Sequence, residues 1–234
     1  MRIVEALKFH FSSPAWVNNT LVATVFLIIP IIGPIALQGW YAEIAQRLVR
    51  KHPEPIPPLA FSDLMPYLSR GIPAFFAQMA ASLPIAILST LMSFALVPII
   101  FIMGNSEIGL IIFLLVLLLT TAIGVLVTMV LLNALLLRAE LSEDLGQTFK
   151  LAELRRYVTS TFTSTLVATT LYVLLATPLA FVGMALCCVG IFPVATALNL
   201  GMVHLRVQLY EDYLARGGEP IPLRDPNAPV KPLF

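Results

Sequence analysis

His204, Gln208 and Glu211 recur at i, i+4 and i+7, a spacing that places a base, an amide and a carboxylate on one face of a helix. With Glu43, His52 and Asp63, which fall on the same expected side of a membrane, they are the nearest this chain comes to an acid–base constellation. The sequence has no His-Glu-x-x-His, Gly-x-Ser-x-Gly, phosphate-loop or metal-ligand spacing. Cys187 and Cys188 are adjacent in an apolar run and match neither a disulfide framework nor a metal site, which leaves them as small buried hydrophobes. A polar face on a helix leaving the bilayer accounts for the first three residues without catalysis. The chain therefore reads as non-enzymatic, and no catalytic residue, cofactor or metal site is expected.

A second pattern is rich in hydroxyls. Thr161, Thr165 and Thr169 form an i, i+4 stripe inside a stretch that also holds Thr159, Ser160, Thr163, Ser164 and Thr170. Such a stripe can line a polar pathway, or its hydroxyls can bond their own helix where two helices pack closely. Small residues four apart, Ala176 with Ala180, Gly183 with Cys187 and Ala197 with Gly201, point to packing. An active transporter usually carries ionisable groups at depth, and the apolar runs of this chain hold no Asp, Glu, Lys or Arg, with His204 only at the end of the last. Gln78, Asn133 and Asn199 are their strongly polar side chains, suited to bonding between helices.

The elements that must position these residues follow from composition. The 234-residue chain is 59% hydrophobic and 12% charged, with a mean hydropathy of +0.91, which places it among integral membrane proteins. A net charge of +1 argues against a nucleic-acid partner, which needs a basic surface. Ile3, Val4, Leu7 and Phe11 recur at helical spacing, so residues 1–16 predict a retained helix lying at the membrane surface rather than a cleaved signal.

Apolar runs follow at Leu21 to Gln38, Gly71 to Met103, Ile108 to Leu137 and Val158 to Leu205. The second would be about 50 Å long as a helix, against a hydrocarbon core of about 30 Å, so it must tilt, protrude or kink, with Pro84 and Pro98 as places for a kink. The last is long enough for two spans, divided between Cys187 and Pro193. The expected fold is all-α: a polytopic transmembrane bundle of about five spanning helices in one domain, residues 1–218. Residues 53–70 and 138–157 are expected as cytoplasmic segments, the latter with a surface helix near Phe149 to Arg156. Residues 219–234 are expected as an extended, proline-rich tail.

Positive residues cluster in Arg47 to Arg70, in Arg138 to Arg156 and near the C-terminus, which puts those parts on the cytoplasmic side of a bacterial inner membrane. Five crossings then leave the N-terminus outside, where Arg2 and Lys8 fit poorly. If Pro30-Ile31-Ile32-Gly33-Pro34 is instead the tip of a re-entrant hairpin, the N-terminus is inside. Both alternatives stand on sequence.

The tetrapeptide Glu54-Pro55-Ile56-Pro57 returns as Glu219-Pro220-Ile221-Pro222. Each copy follows a Gly/Pro-broken apolar stretch, a helix with Gly39 or Gly201, and a cytoplasmic extension carrying Tyr41 or Tyr210. Leu64 to Tyr67 and Leu154 to Tyr157 form a fainter second pair. The echo fits an internal pseudo-repeat, or simply proline ending two interfacial helices.

Pro14 with Trp16, the Ile29 to Gly33 break, Gly39 with an aromatic pair, the proline-rich passage before Asp63 and Arg70-Gly71, and later Gly190, Phe192, His204-Leu205 and Gln208 to Tyr210 resemble a prokaryotic multi-pass membrane family, domain of unknown function 4013. The Gly39-Trp40-Tyr41 sequence departs mildly from that family's Gly-Tyr pair. The resemblance implies a multi-pass membrane fold and transfers no catalytic residue. The expected role is an accessory or scaffolding subunit that contacts membrane lipids and either other subunits or a second copy. Glu54, Pro55, Pro57, Glu219, Pro220 and Pro222 are candidate docking positions. The alternative is a permease or lipid-handling protein with its path beside Thr161 and Thr165.

Overall fold

The computed structural model describes residues 2–102, 107–185 and 190–226. The expected turn at Gly104 to Ser106, the Cys187-Cys188 pair and the tail beyond Pro226 lie outside the described residues. Every regular element among the described residues is a helix. Helix α1 (Ile3–Lys8) runs into a 3-10 turn, Phe9–Ser12. The interfacial segment expected over 1–16 is thus a short helix and a turn, since Ser13 is extended and the next helix opens at Trp16.

Helices α2 (Trp16–Ile28) and α3 (Ile32–Val49) form a hairpin whose turn holds Ile31 at a φ of +67°. A β-branched residue there costs about 1–3 kcal/mol, so the surrounding packing must impose it. Both ends of the hairpin lie at one end of the molecule. Asn18 donates to the Leu59 carbonyl at 3.0 Å, and Asn19 accepts from the Leu59 amide at 2.8 Å, so α2 begins beside the loop that follows α3.

Helix α4 (Leu64–Ile102) is continuous through Pro73, Pro84 and Pro98. It crosses α3 backbone against backbone. A Cβ on Gly39 would lie 2.0 Å from the Tyr67 carbonyl oxygen, and one on Gly71 would lie 1.8 Å from that of Ile35. Ile32 therefore stands beside the part of α4 just past Gly71, where Gln38 donates to Gln78 at 3.2 Å, and α4 runs on well beyond the hairpin tip.

Helices α5 (Glu107–Ser142), α6 (Leu145–Thr148), α7 (Leu151–Ala185) and α8 (Ile191–Ala215) complete the bundle. α5 packs along α4, and α8 along α7. α1 lies on α8, with the Phe9 ring stacked on His204 at 4.6 Å and the Arg2 amide donating to Gln208 at 2.8 Å. Among the described residues three helices are long and apolar enough to cross a membrane: α4 over Phe61–Met92 together with the turn before it, α5, and α7.

The core gathers at one end. Trp40, Leu59, Leu137, Leu141, Leu200 and Tyr210 are fully buried there, whereas the most apolar stretch of α5 is 0% buried. That contrast divides the molecule into a packed base and a projecting apolar part.

One sequence reading changes. The surface helix expected near Phe149 to Arg156 is not a separate element: α5 continues to Ser142, and residues from Leu151 open α7. α5 ends where Glu143 turns to a φ of +48° and Asp144 caps α6 by accepting from the Gln147 amide at 2.9 Å. The tail has no regular secondary structure over residues 219–225 and is held down. The Ile221 amide donates to the Tyr210 hydroxyl at 2.7 Å, and the Arg224 amide donates to the Leu141 carbonyl at 2.9 Å.

The backbone contact of α3 with α4 has a direct test. Gly39→Ala or Gly71→Ala forces a methyl onto a carbonyl and should cost at least about 1–3 kcal/mol, read as a lower thermal midpoint and a smaller monodisperse fraction in detergent. Gly124→Ala meets only the movable Ile85 methyl at 3.2 Å and should stay near wild type.

Candidate functional site: the charged base

The polar end of the bundle is built on cross-linked charges. Arg70, near the start of α4, donates to Glu43 of α3 at 2.5 Å and to Glu143 after α5 at 2.8 Å. Arg47 pairs with the other oxygen of Glu43 at 2.5 Å, one helical turn away, and the Tyr67 hydroxyl donates to Glu43 at 3.1 Å. Arg224, from the tail, pairs with the second oxygen of Glu143. Gln46 completes the web, donating to Glu143 and to the Glu140 carbonyl, each at 2.8 Å. Burial alone would raise the pKa of Glu43, but the Arg70 and Arg47 guanidinium groups and their hydrogen bonds outweigh it and hold the carboxyl below its usual range.

Above this web sits a second, drier pair. Glu140 of α5 has a fully buried side chain and accepts from Arg206 of α8 through Nε at 3.2 Å and through Nη2. Arg138, also buried, donates to Glu153 of α7 at 2.6 Å and to the Gln147 carbonyl at 2.7 Å. These groups lie just past the ends of apolar runs, and sequence reasoning passed them over. Their signal was faint but present: Arg138 and Glu140 continue the helix of an unbroken apolar run, and Arg206 stands between Leu205 and Val207. What pairs Glu140 with Arg206 is the tertiary fold.

The residues singled out in the sequence are dispersed. Gln208 bonds His204 at 3.0 Å and the N-terminal strand of backbone at Arg2, Glu211 is exposed, and Asp63 accepts from the Ala60 amide at 2.9 Å. His52 bonds the backbone of Glu54 at 3.0 Å. Of these candidates only Glu43 joins the charged base. Among the described residues no three His, Cys, Asp or Glu come together at metal-binding spacing.

Thr161, Thr165 and Thr169 are all buried. Thr161 donates to the Tyr157 carbonyl of its own helix at 2.8 Å, and Thr169 accepts from Asn133 of α5 at 3.3 Å.

The two Glu-Pro-Ile-Pro copies do the same local thing. Each follows a helix ended by a left-handed residue, Lys51 at a φ of +54° or Gly217 at +83°, and each sinks its isoleucine, Ile56 or Ile221, into one common core cluster. Pro57 is buried, and its carbonyl accepts from the Trp40 indole at 3.2 Å; Glu54, Glu219, Pro220 and Pro222 are exposed and Pro55 half-buried. Glu219 also pairs with Arg156 at 2.6 Å.

A bundle that is all-helical among the described residues, with three helices there long and apolar enough to cross a membrane and paired charges at one end, has the build of a helical membrane protein. The chain belongs to the family described as "Protein of unknown function (DUF4013)", whose model matches residues 22–188. No curated protein and no solved structure matches it. The features quoted at Pro14 and Trp16, and from Gly190 to Tyr210, lie outside the matched residues.

Because Glu140 and Arg206 are buried together, removing one strands the other. Arg206→Met should cost about 3–5 kcal/mol, and the double variant Glu140→Leu/Arg206→Met should recover most of that loss. Denaturation of all three proteins in the same detergent measures it; a double variant as unstable as the single would show that packing, not charge, governs the site.

Proposed function

We propose that the protein is a non-enzymatic, multi-pass subunit of the bacterial inner membrane that scaffolds or supports a larger membrane assembly. The observation that carries this reading is the division of the molecule. Its buried charges neutralise one another inside a packed base, while the outer parts of α4 and α5 present Phe94, Leu110, Leu118 and their neighbours exposed. That apolar surface suits lipid tails and a partner's transmembrane helix or a second copy. The exposed members of the two proline motifs, Glu54, Glu219, Pro220 and Pro222, lie on the base and serve as cytoplasmic docking points. Thr161, Thr165 and Thr169 act in this reading as packing residues, which their burial and bonding support.

The topology that fits has four crossings, α4, α5, α7 and α8, with α2 and α3 as a re-entrant hairpin entering from the cytoplasmic side. At 13 residues α2 is about 20 Å long, short of the hydrocarbon core of about 30 Å. Its start is tied to the loop after α3, and Arg47, Arg50, Lys51, Arg70 and Arg138 gather at that same end. Both termini are then cytoplasmic, which removes the conflict over Arg2 and Lys8.

With Cys187 and Cys188 replaced by alanine, Ser12→Cys and Glu219→Cys should both react with a membrane-impermeant maleimide from the cytoplasmic face alone. Labelling of Ser12→Cys from the outside would turn the hairpin into a crossing. Purification from native membranes in mild detergent should recover the protein with a partner chain or as a homo-oligomer. A stable, lone 25.6 kDa monomer, measured by light scattering, would overturn the scaffold reading.

A further inference from the structure

At the foot of α3, facing away from the apolar hairpins, lies an open cavity of about 370 Å³. Four arginines line it, Arg47, Arg50, Arg70 and Arg224, with His52 at the same wall. Such a volume lies in the range of small-molecule sites, ample for a phosphate group and the atoms that carry it. Of the carboxylates that balance these arginines, Glu143 lies deepest, its side chain 5% exposed against 15% for Arg70 and Arg224, while Glu43 at 18% is exposed about as much as Arg70. Asp225 also lines the cavity and opposes an anion there, as does the carbonyl end of α3.

Arg50 decides the balance. It is exposed, it donates to the Arg224 carbonyl, and among the described residues no carboxylate lies within ion-pair distance of it. The four arginines outnumber Glu43, Glu143 and Asp225 by one, and Arg50 is the one whose fork retains donors for a tetrahedral oxyanion.

We propose that this cavity binds a phosphate-bearing anion, with Arg50 as its principal contact and Arg47 and Arg70 as a positive wall already held in place by Glu43 and Glu143. The site stands independently of the scaffold reading. Two sources share its chemistry: the headgroup of an anionic phospholipid, since basic pockets at the cytoplasmic face of membrane proteins take such groups, and a free phosphate or pyrophosphate.

The full-length protein in a neutral detergent is titrated calorimetrically with pyrophosphate at constant ionic strength, with chloride as the matched control. In parallel, its thermal midpoint is compared in nanodiscs of phosphatidylcholine with and without cardiolipin. Binding of pyrophosphate that weakens about tenfold in Arg50→Gln, the equivalent of one charge-assisted hydrogen bond, and is unchanged in Arg155→Gln, supports a soluble ligand. Stabilisation by cardiolipin alone, lost in Arg50→Gln and kept in Arg155→Gln, supports a headgroup. Absence of both effects in the wild-type protein, or equal responses of the two variants, overturns the site.

Discussion

Arg70 is the tie on which the base depends. A single guanidinium reaches Glu43 of α3 and Glu143 beyond α5, and Glu143 in turn holds Arg224 of the tail, so four distant parts of the chain meet at one group. Exposed ion pairs contribute little, but these are largely withdrawn from water and joined in a network, where losing one member leaves its neighbours unpaired. The Gly39–Gly71 crossing works with this tie. Because the α3 and α4 backbones touch, Arg70 comes within reach of Glu43 without a long side-chain detour.

The same arrangement explains how a chain with so few charges organises itself. Most of its charged groups gather at one end, where they pair, cap helices or bond the proline-rich loops. The projecting halves of α4 and α5 are mostly apolar, and beyond their contact with each other a nonpolar environment suits the surface they leave exposed. The two proline motifs act as matching clasps. Each lies just after a helix end and sets an isoleucine into the shared core, so the tail is a structural member of the base.

Much of this was legible along the chain. The long apolar runs, the all-helical class, the break at Pro30 to Pro34 and the repeated tetrapeptide all depend on local pattern. The Thr161 stripe read on sequence as either a polar pathway or a packing face, and its three threonines are buried. The charged base was mostly invisible: Glu140 meets Arg206, and Glu143 meets Arg70 and Arg224, across separations that carry no periodicity. Arg138 to Arg156 looked like surface because, Lys150 with Glu153 apart, its charges find their partners far off in sequence, on other helices or in the tail.

By itself, then, the sequence determined which segments are helical and apolar, because hydrophobicity and helical periodicity are properties of neighbouring residues. It also pointed to a turn at His52 and Glu54, through the cluster of prolines that follows the helix. Tertiary structure alone decided that the α2–α3 hairpin turns back beside the first part of α4, that the tail closes over the base, and that Arg50 stands beside a cavity with no carboxylate paired to it among the described residues. Those outcomes rest on backbone approach and on charge pairing through space, and neither is encoded in the spacing of residues along the chain.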